Sequence, residues 1–139
     1  MKPSPQISLN KISPRRILVA DDDPSILRLV TAVLENEGFA VIAASDGKAA
    51  YKILQSGTPI HAVVLDVNMP YIGGHEIVKF MQSNDRFKAI PIIIMTGEQD
   101  PRSSSNNIKA GAVAFLPKPF TNSQLKMIVE VFAARVPVS

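Results

Sequence analysis

Short, wholly apolar runs alternate along this chain with longer stretches in which apolar residues recur every three or four positions. The runs at 16–20 (RILVA), 39–43 (FAVIA), 61–65 (HAVVL), 91–95 (PIIIM) and 113–116 (VAFL) predict five strands, and within the third the run 62–65 is apolar enough to be buried on both faces. After the first, Asp23 and Pro24 form a cap followed by a proline suited to the first helical position, and Ile26, Leu29, Val30, Val33 and Leu34 make one helical face that stops at Gly38. Ser45-Asp46-Gly47 opens a second helix with Ala49, Ala50, Ile53 and Leu54 inward, stopped by Gly57-Thr58-Pro59. A third starts near Gly74, with Ile77, Phe80 and Met81 on one face. Asp100-Pro101 repeats the cap-and-proline start, but in 101–110 only Ile108 and Ala110 are apolar, so this fourth helix has little to bury and is weakly held. The last begins at Thr121, where Thr121 and Gln124 match a capping box, and turns Leu125, Ile128, Val129 and Phe132 inward.

Five strands alternating with five helices imply right-handed crossovers and an α/β fold in which a parallel sheet is covered by helices on both faces. A length of 139 residues suits one domain. Residues 1–14, with three prolines and no periodicity, read as a flexible lead, and 15–136 as the domain.

Composition narrows the chemistry. There is no cysteine, which excludes disulfides, thiol catalysis and cysteine zinc sites. No apolar run is long enough to span a bilayer, and the N-terminus lacks the apolar centre of a signal peptide, so a cytoplasmic location is expected. The net charge of +3 comes from residues 1–16: Lys2, Lys11, Arg15 and Arg16 meet no acid there, while the other 11 basic residues face 12 acids. The lead is expected to be a solvated tail, with nonspecific phosphate or lipid contact as its alternative role. No dedicated nucleic-acid module is expected.

The polar residues at the strand ends are more specific. Asp21 and Asp22 follow the first strand, Asp66 the third, Thr96 the fourth and Lys118 the fifth. In a parallel sheet these ends share one edge, where ligands collect. Asp66 alone has two readings, a loop cap or a reactive acid. Neighbouring carboxylates repel one another, and a hard divalent cation such as Mg²⁺ resolves that repulsion. A lysine and a threonine suit phosphoryl oxygens, and an aspartate can itself be the nucleophile.

The motifs ILVADDDP, VVLDVNMP, IIIMTGEQ and FLPKPF, in that order, resemble those of the receiver domains of two-component response regulators, close in layout to the single-domain chemotaxis receiver. The likeness runs from about Arg15 to Ala134. It implies strand order 2-1-3-4-5, a flavodoxin-like, doubly wound sheet. It makes Asp66 the phosphoacceptor, Asp22 and Asp66 direct ligands of Mg²⁺ (Mn²⁺ as the alternative), Asp21 a helper through water and Asn68 a ligand through its backbone carbonyl. Thr96 would hydrogen-bond the phosphoryl group, Lys118 would pair with it, and Lys118–Pro119 would be cis. The donor would be a phosphohistidine on a sensor histidine kinase or phosphotransfer protein. The only chemistry expected is the domain's own phosphorylation and dephosphorylation, not turnover of a separate substrate. Thr96 and Phe115 would form the switch, and Phe115, lacking the hydroxyl of the more usual tyrosine, would act by packing alone.

There are departures from the family pattern. Gly73-Gly74 stands where Asp-Gly is usual, which is expected to loosen the loop; Gly97 replaces a common alanine; Pro117 removes an N–H, tolerable on an edge strand. Asn68 and Glu98 occupy positions that tune hydrolysis in the family. Met127, Val131 and Ala134 form a second apolar row on the last helix. With Lys109 and Phe115, Met127 and Val131 are candidates for a surface, built from the fourth helix, fifth strand and last helix, that meets a downstream protein or a second copy. His61 and His75 lie outside the motif set and are expected to be structural or solvent-facing.

Two enzymatic rivals share the architecture. A haloacid-dehalogenase-type phosphatase carries a second aspartate two residues after its nucleophile, where this chain has Asn68. A flavin binder of the flavodoxin type needs a hydroxyl-rich phosphate loop where this chain has Asp21-Asp22-Asp23. A stand-alone receiver and a receiver excised from a hybrid kinase or DNA-binding regulator are both compatible with the motifs.

Overall fold

A computed structural model describes residues 14–97 and 114–133. Its strands are β1 (Arg16–Ala20), β2 (Ala40–Ala44), β3 (Ala62–Asp66), β4 (Ile92–Gly97) and β5 (Ala114–Lys118). They form one parallel sheet in the order β2-β1-β3-β4-β5, as expected. Among the described residues there are four helices: α1 (Pro24–Asn36), α2 (Gly47–Gln55), α3 (Gly74–Gln82) and α4 (Asn122–Ala133). The helix expected at 101–110, the lead at 1–13, Lys109, Glu98 and Ala134 lie outside the described residues.

Alternation along the strands gives the sheet its two dry faces. Leu18, Val63, Leu65, Ile92 and Ile94 point to the side covered by α2 and α3, where they meet Ala50, Leu54, Ile77 and Met81. Ile17, Val19, Val64, Ile93 and Met95 point to the other side and pack on Val30 and Leu34 of α1 and Leu125 of α4. Every residue of β3 is buried, as its unbroken apolar run requires.

The helix starts follow from local chemistry. Asp23 accepts the Ser25 N–H at 2.9 Å, with Pro24 directly after the cap. Asp46 accepts the Ala49 N–H at 2.8 Å. The expected capping box at α4 is formed in both directions: Gln124 N–H to Thr121 Oγ1 at 3.1 Å, and Thr121 N–H to Gln124 Oε1 at 2.8 Å.

The strand boundaries differ from the apolar runs. β2 starts at Ala40, because the Phe39 N–H is committed to the Leu34 carbonyl at the end of α1. β4 continues through Thr96 to Gly97, and β5 through Pro117 to Lys118, because Thr96 pairs with Pro117 and Gly97 with Lys118. Thr96 and Lys118 are therefore strand residues and not loop residues. β5 has β4 as its one neighbour among the described strands, so Pro117 sits where a missing N–H is tolerated.

Candidate functional site: an acidic cluster at the strand ends

The topology brings the carboxyl ends of β1, β3, β4 and β5 to one edge. Asp66 is the last residue of β3 and is 4% exposed. Asp21 follows β1 and is fully buried, while Asp22 beside it is exposed. Carboxylate oxygens of Asp21, Asp22 and Asp66 lie within 4.8 Å of one another, the one such acidic group among the described residues. Thr96 is 4% exposed and lies one residue beyond Met95, the register partner of Asp66. Lys118 reaches in from the end of β5, its Nζ 2.8 Å from Asp21 Oδ2 and 3.3 Å from Asp66 Oδ2.

The hydrogen bonds that hold these groups are short-range. Asp21 Oδ1 accepts the Asp23 N–H at 2.8 Å, which fixes its rotamer. Asp66 Oδ1 accepts the Asn68 N–H at 3.3 Å. Asp21 Oδ2 is met by the Lys118 ammonium at 2.8 Å.

Burial first, then the Asp21 carboxylate, push the Asp66 carboxyl up from 3.8 to about 6, against the opposing pull of Lys118 and the Asn68 N–H. Burial would lower the Lys118 pKa, but Asp21 and Asp66 outweigh it and hold the ammonium above its ordinary value. One ammonium thus serves two buried carboxylates with a third beside them. A set of three hard oxygen donors with surplus negative charge fits a divalent cation of the Mg²⁺ type.

The loop after Asp66 is tied down. Gly74 N–H donates to Val67 O at 2.9 Å, and Gly73 N–H donates to Glu76 Oε1 at 2.8 Å. A side chain at 74 would have its Cβ 2.5 Å from Asp66 O and 2.9 Å from Val67 Cα, so α3 starts directly on the strand end only because Gly74 lacks one. The loosening expected from Gly73-Gly74 is countered by these contacts. Lys118–Pro119 is cis, as expected.

The other sequence candidates are placed as follows. Phe115 is half-buried against the α2–α3 side of the sheet; by alternation Thr96 lies on that same face, since Ile94 is the register partner of Phe115. Met127 and Val131 are 66% and 57% exposed on α4. His61 is structural: its Nδ1 accepts the Arg16 N–H at 2.9 Å, at the opposite edge of the sheet. Two residues escaped the sequence reading, Gly47 and Tyr71. Gly47 was legible only as a helix opener, and Tyr71 carried no signal at all.

The family model of the response regulator receiver domain matches residues 17–130. The chain belongs to that family. The receiver is 34% identical over 117 residues to chemotaxis protein CheY1 of Helicobacter pylori (strain 26695), covering 84% of this chain and 94% of that one. It is 36% identical over 106 residues to the CAI-1 autoinducer sensor kinase/phosphatase CqsS of Vibrio cholerae, covering 76% of this chain but 15% of that one. Among solved structures, chemotaxis response regulator CheY4 of Vibrio cholerae superimposes with a TM-score of 0.78 at 30% identity, over 86% of this chain and 99% of that one. The phosphatase and flavin-binding rivals fall with the family match. Receivers act in signal transduction with histidine kinases or phosphotransfer proteins. No helix among the described residues is long and apolar enough to cross a membrane.

Proposed function

We propose that this receiver accepts a phosphoryl group on Asp66 from a phosphohistidine of a sensor histidine kinase or phosphotransfer protein. The observation that carries the reading is a buried carboxylate at the end of β3 with the Lys118 ammonium 3.3 Å from its Oδ2. With its pKa near 6, Asp66 is ionised at neutral pH and free to attack. Its oxygen forms the new bond to phosphorus as the phosphorus–nitrogen bond of the donor breaks. The electron pair stays on the imidazole, which takes up a proton, and an aspartyl-phosphate remains.

Lys118 would neutralise charge on the incoming phosphoryl oxygens, and the Thr96 hydroxyl would donate to one of them. Mg²⁺, or Mn²⁺ in its place, would be held by Asp22 and Asp66, by the Asn68 carbonyl, and by Asp21 through water. When bound it supplies positive charge that stabilises the transferring phosphoryl group. The chain's chemistry is then its own phosphorylation and dephosphorylation.

Output would run through Thr96 and Phe115, which share one face of adjacent strands. The reader of that switch would be a downstream protein or a second copy, meeting the surface of Met127 and Val131, with Phe115 and Lys109. The receiver unit would span 15–136 and work in the cytoplasm. Borohydride reduction of the phosphorylated protein followed by peptide mapping tests the acceptor. Reduction of residue 66 supports the reading; reduction elsewhere, or at no aspartate, contradicts it.

A further inference from the structure

The loop that follows Asp66 contains a strained turn. Tyr71 has φ of 71°, and Ile72 N–H donates to Pro70 O at 2.9 Å, which closes a three-residue γ-turn with Tyr71 at its apex. This is the rarer, strained form of that turn. A non-glycine residue keeps such a conformation only where its surroundings over-determine it. Yet the Tyr71 side chain is 78% exposed and cannot be what holds the turn.

What holds it is the first turn of α2. Gly47 faces the Ile72 backbone: a Cβ at position 47 would lie 2.6 Å from Ile72 C and 2.9 Å from Ile72 Cβ, with the Ile72 carbonyl oxygen nearer still. These are mostly main-chain atoms and cannot swing aside as a side-chain tip can. Beside this seat, Lys48 Nζ lies 5.9 Å from the centroid of the Tyr71 ring, within cation–π range. Asp46 fixes α2 at its start through the Ala49 N–H. At the other end of the loop, Gly74 packs on the Asp66 and Val67 backbone. The segment from Asp66 to Gly74 is therefore held at two points, at Gly74 by its own strand and at Ile72 by a helix start 25 positions earlier in the chain.

We infer that Gly47 is a positioning residue: the first turn of α2 sets where the Asp66–Asn68 backbone stands, and with it the geometry of the metal and phosphoryl site. The inference rests on the proposed role of that site only for its functional consequence. Alanine at 47 must push the Ile72 carbonyl away. The turn then relaxes from its strained form and carries Asn68 and Asp66 with it. Supporting groups of this kind change metal affinity by roughly 10–100-fold when altered.

The test compares Gly47→Ala with Gly57→Ala in the full chain. Gly57 has φ of 86° and open space around it, so its alanine variant carries backbone strain without touching the loop. Two readouts are taken on folded protein: backbone amide shifts from 66 to 74 without metal, and the Kd for Mg²⁺ by calorimetry. The expected result is that Gly47→Ala moves the amides of Asp66, Val67 and Asn68 and weakens Mg²⁺ binding about tenfold or more, while Gly57→Ala leaves both unchanged. Unmoved amides in Gly47→Ala, or a Kd no weaker than that of Gly57→Ala, overturn the inference. Should Gly47→Ala fail to fold, Ile72→Gly, which loosens the same seat from the loop side without adding a Cβ at 47, replaces it and is read the same way. If the unaltered protein binds no Mg²⁺, the proposed function fails, while the metal-free amide shifts still decide whether Gly47 seats the loop.

Discussion

Lys118 Nζ stands 2.8 Å from Asp21 Oδ2, closer than its 3.3 Å approach to Asp66. The ammonium is thus drawn first to the fully buried acid, where it would compete with a cation for the same oxygens. Asp66 is left the less compensated of the two.

Removing Lys118 therefore has two opposed effects. Lys118→Met is expected to bind Mg²⁺ at least as tightly as the unaltered protein, because a competing cation is gone. It is also expected to form the phosphoryl adduct on the order of 10²-fold more slowly, the loss typical of one charge-stabilising group. Calorimetry and time-resolved mass spectrometry check the pair of effects. Weaker metal binding together with an unchanged adduct rate would remove Lys118 from its proposed role.

The raised pKa of Asp66 sets a pH dependence of stability. Its native value of about 6 lies above the ordinary 3.8. Between those values the native state keeps a proton that the unfolded chain has lost, so stability falls as pH rises through that window. The full shift corresponds to about 3 kcal/mol at most, and coupling to Asp21 and Lys118 reduces what appears to the order of 2 kcal/mol. Without metal, Asp66→Asn is expected to be more stable than the unaltered protein at pH 7.5 and to lose most of that advantage at pH 4. Urea denaturation at the two pH values measures it; an Asp66→Asn variant no more stable at pH 7.5 than at pH 4 would contradict this origin of the shift.

The same proton competes with metal. Mg²⁺ affinity is expected to be nearly flat above pH 7 and to fall by up to tenfold per unit below about 6, with proton release on binding in the acid range. Calorimetry in buffers of different ionisation enthalpy reads that release directly. A flat profile down to pH 5 would mean that Asp66 is not a ligand.

Met127 and Val131 are exposed on α4, so replacing both by aspartate is expected to change stability by less than about 1 kcal/mol and to leave adduct formation intact. The substitutions are expected to reduce self-association or partner binding of the phosphorylated form. If sedimentation and pull-down with a phosphorylation-dependent partner are unaffected, the signalling surface lies elsewhere.

Much of the molecule was legible because its signals are local. Asp23 and the Thr121–Gln124 box cap their helices through atoms two and three residues away, and spacing alone reveals such pairs. The apolar runs located all five strands, since helices on both faces of the sheet leave the middle of each strand apolar. Strand ends were less legible. Whether Thr96 and Lys118 belong to strands depends on a ladder between β4 and β5, and that pairing has no trace in either segment alone. Gly47 and Tyr71 were invisible for a stronger reason. One residue is defined by a backbone pressing on it from a distant segment, and the other by a φ that its side chain would not choose.

Asp66 is proposed to take the phosphoryl group in a reaction that needs a divalent cation. The most direct test is the intact mass of the protein after incubation with acetyl phosphate and Mg²⁺, run beside Asp66→Asn and a sample stripped with chelator. A single phosphoryl adduct is expected in the unaltered protein and none in either control. An adduct that persists in Asp66→Asn, or that forms equally well in chelator, would contradict it.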